Sequence, residues 1–243
     1  DLSEADVRLA LAAERKGDEV LIRHFNAAAR GGNAEGNAHV HLGGTMPFGV
    51  QASFRGFDPS AWGDFPAGSI NASLRAEGAV REPSARVEFA LADSRWLGAP
   101  LAGKGVVAGT AQQVAKADVQ LALGPNRLVA TGAFGGKGDS LMLELDAPQL
   151  DLIDKQLRGR ARGTATLSGT FQAPSIQVDA SGSNLSFGRY GSIAAVELRG
   201  RAGLKADAPM EVRATLSGVT TPQVALGSGR MPVDGGLSAH EAS

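Results

Sequence analysis

From one end of this chain to the other, apolar and polar residues alternate. Val50-Gln51-Ala52-Ser53-Phe54-Arg55 does so cleanly, and so do the runs 70–77, 85–89, 141–146, 176–179 and 210–217. A period of two puts successive side chains on opposite faces of an extended backbone, so each run is a strand with one apolar and one wet face. Turn formers separate the runs: Gly43-Gly44, Gly124-Pro125-Asn126, Gly135-Gly136-Lys137-Gly138-Asp139 and Gly227-Ser228-Gly229. Gly takes positive φ freely and Asn and Asp tolerate it, so these segments predict hairpin turns. The spacing predicts roughly 15 strands of about 7–10 residues, joined as an antiparallel meander. Helical signals are weak. Pro59-Ser60-Ala61-Trp62 and Leu150-Asp151-Leu152-Ile153-Asp154 each read as a single helical turn or a bend.

A sheet with one apolar face must have that face covered by helices, by a second sheet, by closure into a barrel or by a ligand. The pattern supplies no helices. A packed sandwich fills a layer about 10 Å thick with bulky side chains. Here 33 of 243 residues are Gly, and the aromatics are nine Phe, two Trp and one Tyr. The inward positions mix Leu, Val and Ile with many Ala and Gly, a face that packs poorly against a copy of itself. The expected fold is therefore all-β, an elongated antiparallel meander folded lengthwise into an open groove with an aliphatic interior. About 15 strands at about 4.8 Å spacing give roughly 70 Å of path. The residues assigned to the lining are Val40, Leu42, Val50, Phe54, Ile70, Leu74, Val87, Phe89, Leu91, Val119, Leu121, Leu123, Leu141, Leu143, Leu145, Leu167, Ile176, Val178, Val196, Leu198, Val212 and Leu216. Acyl chains suit such a trough, because they need only apolar area, at about 25 cal/mol per Å².

Other classes are excluded by charge and by residue counts. With 24 Lys+Arg against 25 Asp+Glu, the chain lacks the electrostatic footprint of a nucleic-acid binder. Without Cys it has no disulfides, thiol nucleophile, zinc ribbon or Fe–S ligation. No basic-then-apolar leader opens it, and no apolar run of about 20 residues exists to cross a membrane as a helix. The abrupt ends read as a piece of a longer protein, and no linker divides residues 1–243. One repeat is visible: Gly78-Ala79-Val80-Arg81-Glu82-Pro83-Ser84-Ala85-Arg86-Val87-Glu88 aligns with Gly169-Thr170-Phe171-Gln172-Ala173-Pro174-Ser175-Ile176-Gln177-Val178-Asp179, an offset of 169 − 78 = 91. The repeated segments run roughly over 57–109 and 150–203, and such repetition implies a body that grows by stacking similar units.

The order of the turns carries a family resemblance. Phe57-Asp58-Pro59 leads to a "G-x-[LI]-N" strand at Gly68-Ser69-Ile70-Asn71. Leu97-Gly98-Ala99-Pro100-Leu101-Ala102-Gly103 followed by the stretch from Leu121 to Gly135 matches "G-x-P-L-x-G … L-x-x-G-x-N-x-[LV]-x-x-x-G-x-x-G". Ala147-Pro148-Gln149-Leu150-Asp151-Leu152, Leu157-Arg158-Gly159 and Leu167-Ser168-Gly169-Thr170 continue it. The chain resembles the TamB family of AsmA-like bridge-type lipid-transfer proteins, most clearly beyond its first 35 residues. The resemblance implies a periplasmic β-taco, a middle section of a protein anchored in the inner membrane by a segment absent here. It implies transport of phospholipid toward the outer membrane and partnership with TamA, an outer-membrane barrel. The family's C-terminal contact to TamA falls on no residue of this chain.

The remaining chemistry-bearing residues read as structural. His39 and His41 share one strand face, but Ala38, Val40 and Leu42 form the apolar set, so both imidazoles point to water and mark no metal site. The loop 135–139 lacks the G-x-x-x-x-G-K-[ST] pattern and the following helix of a phosphate cradle, and reads as a hairpin turn. Arg158, Arg160 and Arg162 share a face and read as solvated, with phospholipid head groups as the sharper alternative. Asp151 and Asp154 have no pocket to make them an acid–base pair, and Leu150, Leu152 and Ile153 beside them read as structural. Ser94, Ser168 and Ser217 have no nucleophile-elbow context. Trp62, Trp96, Phe89 and Phe187 read as bulky fillers where the sheet turns, with a rim that narrows the groove as the alternative. No catalytic residue and no cofactor is expected. The competing architectures are a structural β-solenoid from an adhesin or autotransporter passenger, and a carbohydrate-active β-helix enzyme. The first needs a coil period of about 20–30 residues, and the second needs an acid–base cluster.

Overall fold

A computed structural model describes residues 8–29, 32–61, 63–203, 209–221, 225–236 and 239–242. The chain divides into two compact units, one of residues 1–111 and 119–124, the other of residues 112–118 and 125–243. The first unit holds β1 (Arg8–Lys16), β2 (Glu19–Ala29), β3 (Gly32–His41), β4 (Pro47–Phe57), β5 (Gly68–Ala79), β6 (Ser84–Trp96), β7 (Ala99–Thr110) and the last residues of β8 (Val114–Leu123). The second holds the start of β8, then β9 (Asn126–Phe134), β10 (Ser140–Ala147), β11 (Leu157–Thr170), β12 (Ala173–Phe187), β13 (Ser192–Gly203), β14 (Pro209–Thr220), β15 (Ala225–Gly236) and β16 (Ala239–Ala242).

Within each unit the strand order is the sequence order. From β1 to β7 every strand pairs antiparallel with the next. The same holds from β9 to β16. The all-β antiparallel meander expected from the alternation is what the chain forms. A β-solenoid stacks parallel coils, so the antiparallel ladders overturn that reading.

Several strands outrun the expected length. β6 has 13 residues, β11 has 14 and β12 has 15. The glycines inside β11 and β12 do not end them. Gly227-Ser228-Gly229, expected as a turn, lies inside β15, where Ser228 pairs with Ser217 and Gly229 with Leu216. Paired backbone groups on the neighbouring strand outweigh the flexibility of Gly there. The other expected turns stand. Gly124 takes φ 58° between β8 and β9, and the loop 135–139 joins β9 to β10 with the Asp139 carboxylate accepting the Gly136 N–H at 2.7 Å. Short 3-10 turns occupy Pro59–Ala61 and Leu150–Leu152, starting 150 − 59 = 91 residues apart. Trp62 lies outside the described residues.

Little is fully enclosed. Among the described residues the buried apolar ones are Ala99, Ala117, Phe134, Ala147 and Leu185, and no large side chain is wholly inaccessible. Phe134 packs edge-to-face on Phe171, with ring centroids 4.9 Å apart. The buried polar residues are Ser94, beside a register slip, and Asn126, at the start of β9. The β6–β7 register slips between Leu91 and Ser94, with Asp93 at φ 51°. There the Ser94 hydroxyl accepts the Asn71 N–H at 2.8 Å and donates to the Asn71 carbonyl at 2.9 Å. The Asn71 side chain accepts the Gly56 N–H at 2.8 Å and donates to the Asp93 carbonyl at 2.7 Å, so one amide ties β4 to β6 across β5. Asn126 makes a similar two-bond tie to the backbone of Gln149.

Candidate functional site

Antiparallel partners share a face, so the ladders show which side chains lie together. In the first unit one row crosses the sheet through Ala38, Val50, Ala76, Val87 and Val107. The next runs through Gly36, Ala52, Leu74, Phe89 and Gly105, and a third through Ala34, Phe54, Ala72, Leu91 and Gly103. Val40 faces Phe48, and Ile70 faces Phe57. Val119 and Leu121 sit against Gly105 and Gly103, and Leu123 follows two residues on. Leu42 lies just past β3, its N–H bonded to the Asp18 carbonyl.

In the second unit the rows are Leu128, Leu145, Gly163, Ala180, Leu198 and Ala214, then Ala130, Leu143, Ala165, Val178, Gly200 and Val212. Another runs through Gly132, Leu141, Leu167, Ile176, Ala202 and Met210, and Val196 lies between Gly182 and Leu216. Each unit thus carries one continuous aliphatic face. That face is not sealed. Leu145 is 37% exposed, and every other residue assigned to the lining is half-buried. Mid-strand Leu, Val and Ile under a second packed layer sit near zero exposure.

The opposite face is wet and ion-paired. Arg23 donates to Glu14 from Nε at 2.8 Å, Arg55 meets Glu35 at 3.0 Å and Arg199 meets Asp179 at 3.1 Å. Exposed pairs of this kind, screened by water and salt, add little to stability. Hydrogen bonds from Arg23 and then Lys16 hold the Glu14 carboxyl below its usual range. This face is also where named concavities lie, a feature the alternation does not reveal. A cleft of about 580 Å³ in the second unit is lined by Arg127, Asp146, Arg162, Ser181, Glu197 and Arg199 among others. One of about 490 Å³ in the first unit is lined by Glu35, Gln51, Arg75 and Glu88 among others. Charges of both signs stand across them, with apolar residues such as Val129 and Leu145 in the larger and Leu74 in the smaller also in the lining.

The other sequence candidates are not brought together. His39 and His41 are exposed, as are Arg158, Arg160 and Arg162. Asp154 accepts the Gln156 N–H at 2.8 Å within its turn. Ile153, expected as structural, is 45% exposed because its 3-10 turn lies at a strand connection. Ser94 is a bulge clamp, and Ser168 and Ser217 stand in ladders. Phe187 is 39% exposed opposite Leu157. Trp96 lies over Gly68. What sequence reading missed are the glycines opposite aromatic rings, Gly36 and Gly105. The only signal for them is the register, which no local pattern supplies.

A model of the family described as TamB, N-terminal domain, matches residues 3–243. The chain belongs to the TamB family. It is also similar to the translocation and assembly module subunit TamB of Haemophilus influenzae, 26% identical over 182 residues, which is 72% of this chain and 14% of that relative. The chain therefore matches about a seventh of the relative's length. No solved structure matches. The resemblance read from the turn motifs is thus confirmed at the level of family. No helix among the described residues is long and apolar enough to cross a membrane.

Proposed function

We propose that this TamB-family segment is a lipid conduit, shielding phospholipid acyl chains on its aliphatic face between the inner and outer membranes. The observation that carries the reading is that face: rows of mostly aliphatic residues and Gly cross each unit, and most of their members are half-buried rather than enclosed. Apolar surface beyond a few hundred Å² left open on a protein marks an interaction site. A sliding acyl chain needs such a surface and no fixed hydrogen bonds. The role of the lining is collective, so no single Leu is essential. The protein works in the periplasm, held at the inner membrane by a segment outside this chain, and serves outer-membrane assembly and autotransporter biogenesis with TamA as partner. TamA is met through parts of the protein outside this chain. The chain is a repetitive one, a reading supported by the 91-residue separation of its two 3-10 turns, the same as the offset of the sequence repeat.

Organic extraction of the purified full-length protein followed by mass spectrometry tests this directly. Recovery of phospholipid at near-stoichiometric levels is expected, and its absence counts against the conduit. A charge set into the face by Leu143→Arg is expected to abolish complementation of a deletion strain, whereas Glu144→Arg on the wet face leaves it intact. Equal tolerance of both charges overturns the assignment.

A further inference from the structure

Aromatic rings on the aliphatic face of the first unit are seated over glycines of a neighbouring strand. Phe25 of β2 lies over Gly36 of β3, where a Cβ would stand 2.7 Å from the ring's Cζ. Trp96 of β6 lies over Gly68 of β5, at 3.1 Å by the same measure. Phe89 of β6 lies over Gly105 of β7, where a Cβ would meet Cε1 at 2.7 Å and Cζ at 2.9 Å, with Val119 Cγ2 also at 2.9 Å. Cβ atoms under 3.0 Å from a ring carbon are essentially never found, so the Phe25 and Phe89 rings occupy the volume of a missing side chain, and Trp96 crowds Gly68 less severely. Gly36 is held to Gly on a second ground, since its Cβ would also strike the Gln51 carbonyl. At Gly105 only side chains intervene, and its φ is not in the left-handed region. Gly105 is buried, while Phe89 above it is half-exposed.

We infer that Gly105 is a clearance-setting residue that keeps the Phe89 ring flat, so that the aliphatic face stays shallow enough for an acyl chain to pass. The inference rests on the conduit reading. A side chain at position 105 takes the space beneath the ring. Val119 closes the other side, so the ring swings up, away from the sheet and into the path over Leu74 and Leu91. Gly105 touches no lipid and acts through Phe89. Removing the ring therefore cancels the effect of filling the glycine.

The test compares phospholipid phosphorus per mole of full-length protein for wild type, Gly105→Val, Phe89→Ala and Gly105→Val/Phe89→Ala, with far-UV circular dichroism as the check on folding. Gly105→Val is expected to carry about fivefold less phospholipid, the change that loss of about 40 Å² of apolar contact brings. Phe89 is itself part of the lining, so the double variant is compared with Phe89→Ala alone, and the two are expected to carry equal phospholipid, whereas a merely structural defect at position 105 lowers the double variant further. Gly105→Ala, a smaller insertion for use if the valine variant does not fold, is expected to show a weaker loss that likewise vanishes against Phe89→Ala. A folded Gly105→Val or Gly105→Ala protein with undiminished lipid overturns the inference and leaves the conduit standing. A further loss of phospholipid when Gly105→Val is added to Phe89→Ala overturns it too. A wild-type protein that yields no phospholipid sinks the conduit reading and this inference with it.

Discussion

Asp58 shows how much one side chain does where the backbone leaves its ladder. Its carboxylate accepts the Ser60 N–H at 3.1 Å, the Ser60 hydroxyl at 2.9 Å and the Gly68 N–H at 3.0 Å, closing the loop between β4 and β5. These bonds, the Gly68 N–H first, hold its pKa below the usual aspartate value. A carboxyl whose folded pKa is depressed contributes stability above its unfolded pKa and loses it as pH falls through the folded value. Hydrogen exchange at the Gly68 amide is therefore expected to speed up as pH drops below the ordinary aspartate range, after correction for intrinsic rate. Asp58→Asn is expected to flatten that pH dependence. Asp58 was legible as part of a turn motif, because Asp and Pro in sequence announce a turn. Its partner Gly68, ten residues on, was not, because only the closed loop brings the two together.

At the level of elements, bulges set where long strands bend. Asp93 and Asn184 both take positive φ, at 51° and 52°, and stand 184 − 93 = 91 residues apart, the offset of the repeat. Asp and Asn tolerate this conformation better than other non-glycine residues. The first bulge is held by Ser94, which is 3% exposed and bonds both the N–H and the carbonyl of Asn71. Ser94→Ala leaves both backbone groups without that partner and is expected to destabilise by about 1–3 kcal/mol, read from urea unfolding. Ser94→Thr, which keeps the hydroxyl, is expected to lose less. Strand positions were legible from alternation and turns from Gly, Pro and Asn. The bulges were not, because a one-residue slip shows only when two ladders are compared. Gly227-Ser228-Gly229 was misread as a turn for the same reason.

On the scale of the molecule, the dominant fact is apolar area left partly in water. Denaturant sensitivity scales with the surface newly exposed on unfolding. A sheet whose aliphatic face is already half-exposed has less to expose, so the urea m-value of the delipidated chain is expected to fall below that of a compact 243-residue protein. An m-value at the compact level counts against an uncovered face. The sequence by itself determined the class of fold, the strand faces and the aliphatic character of one of them, because side-chain alternation is local and follows from backbone geometry alone. It also carried the family, through turn residues whose conformations admit few alternatives. Only the tertiary structure decided the register. Register places Phe89 over Gly105, ties Asn71 to Ser94, and sets the concavities on the wet face. Those relations join residues 16 to 23 or more positions apart, and a pairing between distant strands leaves no mark on either strand read alone.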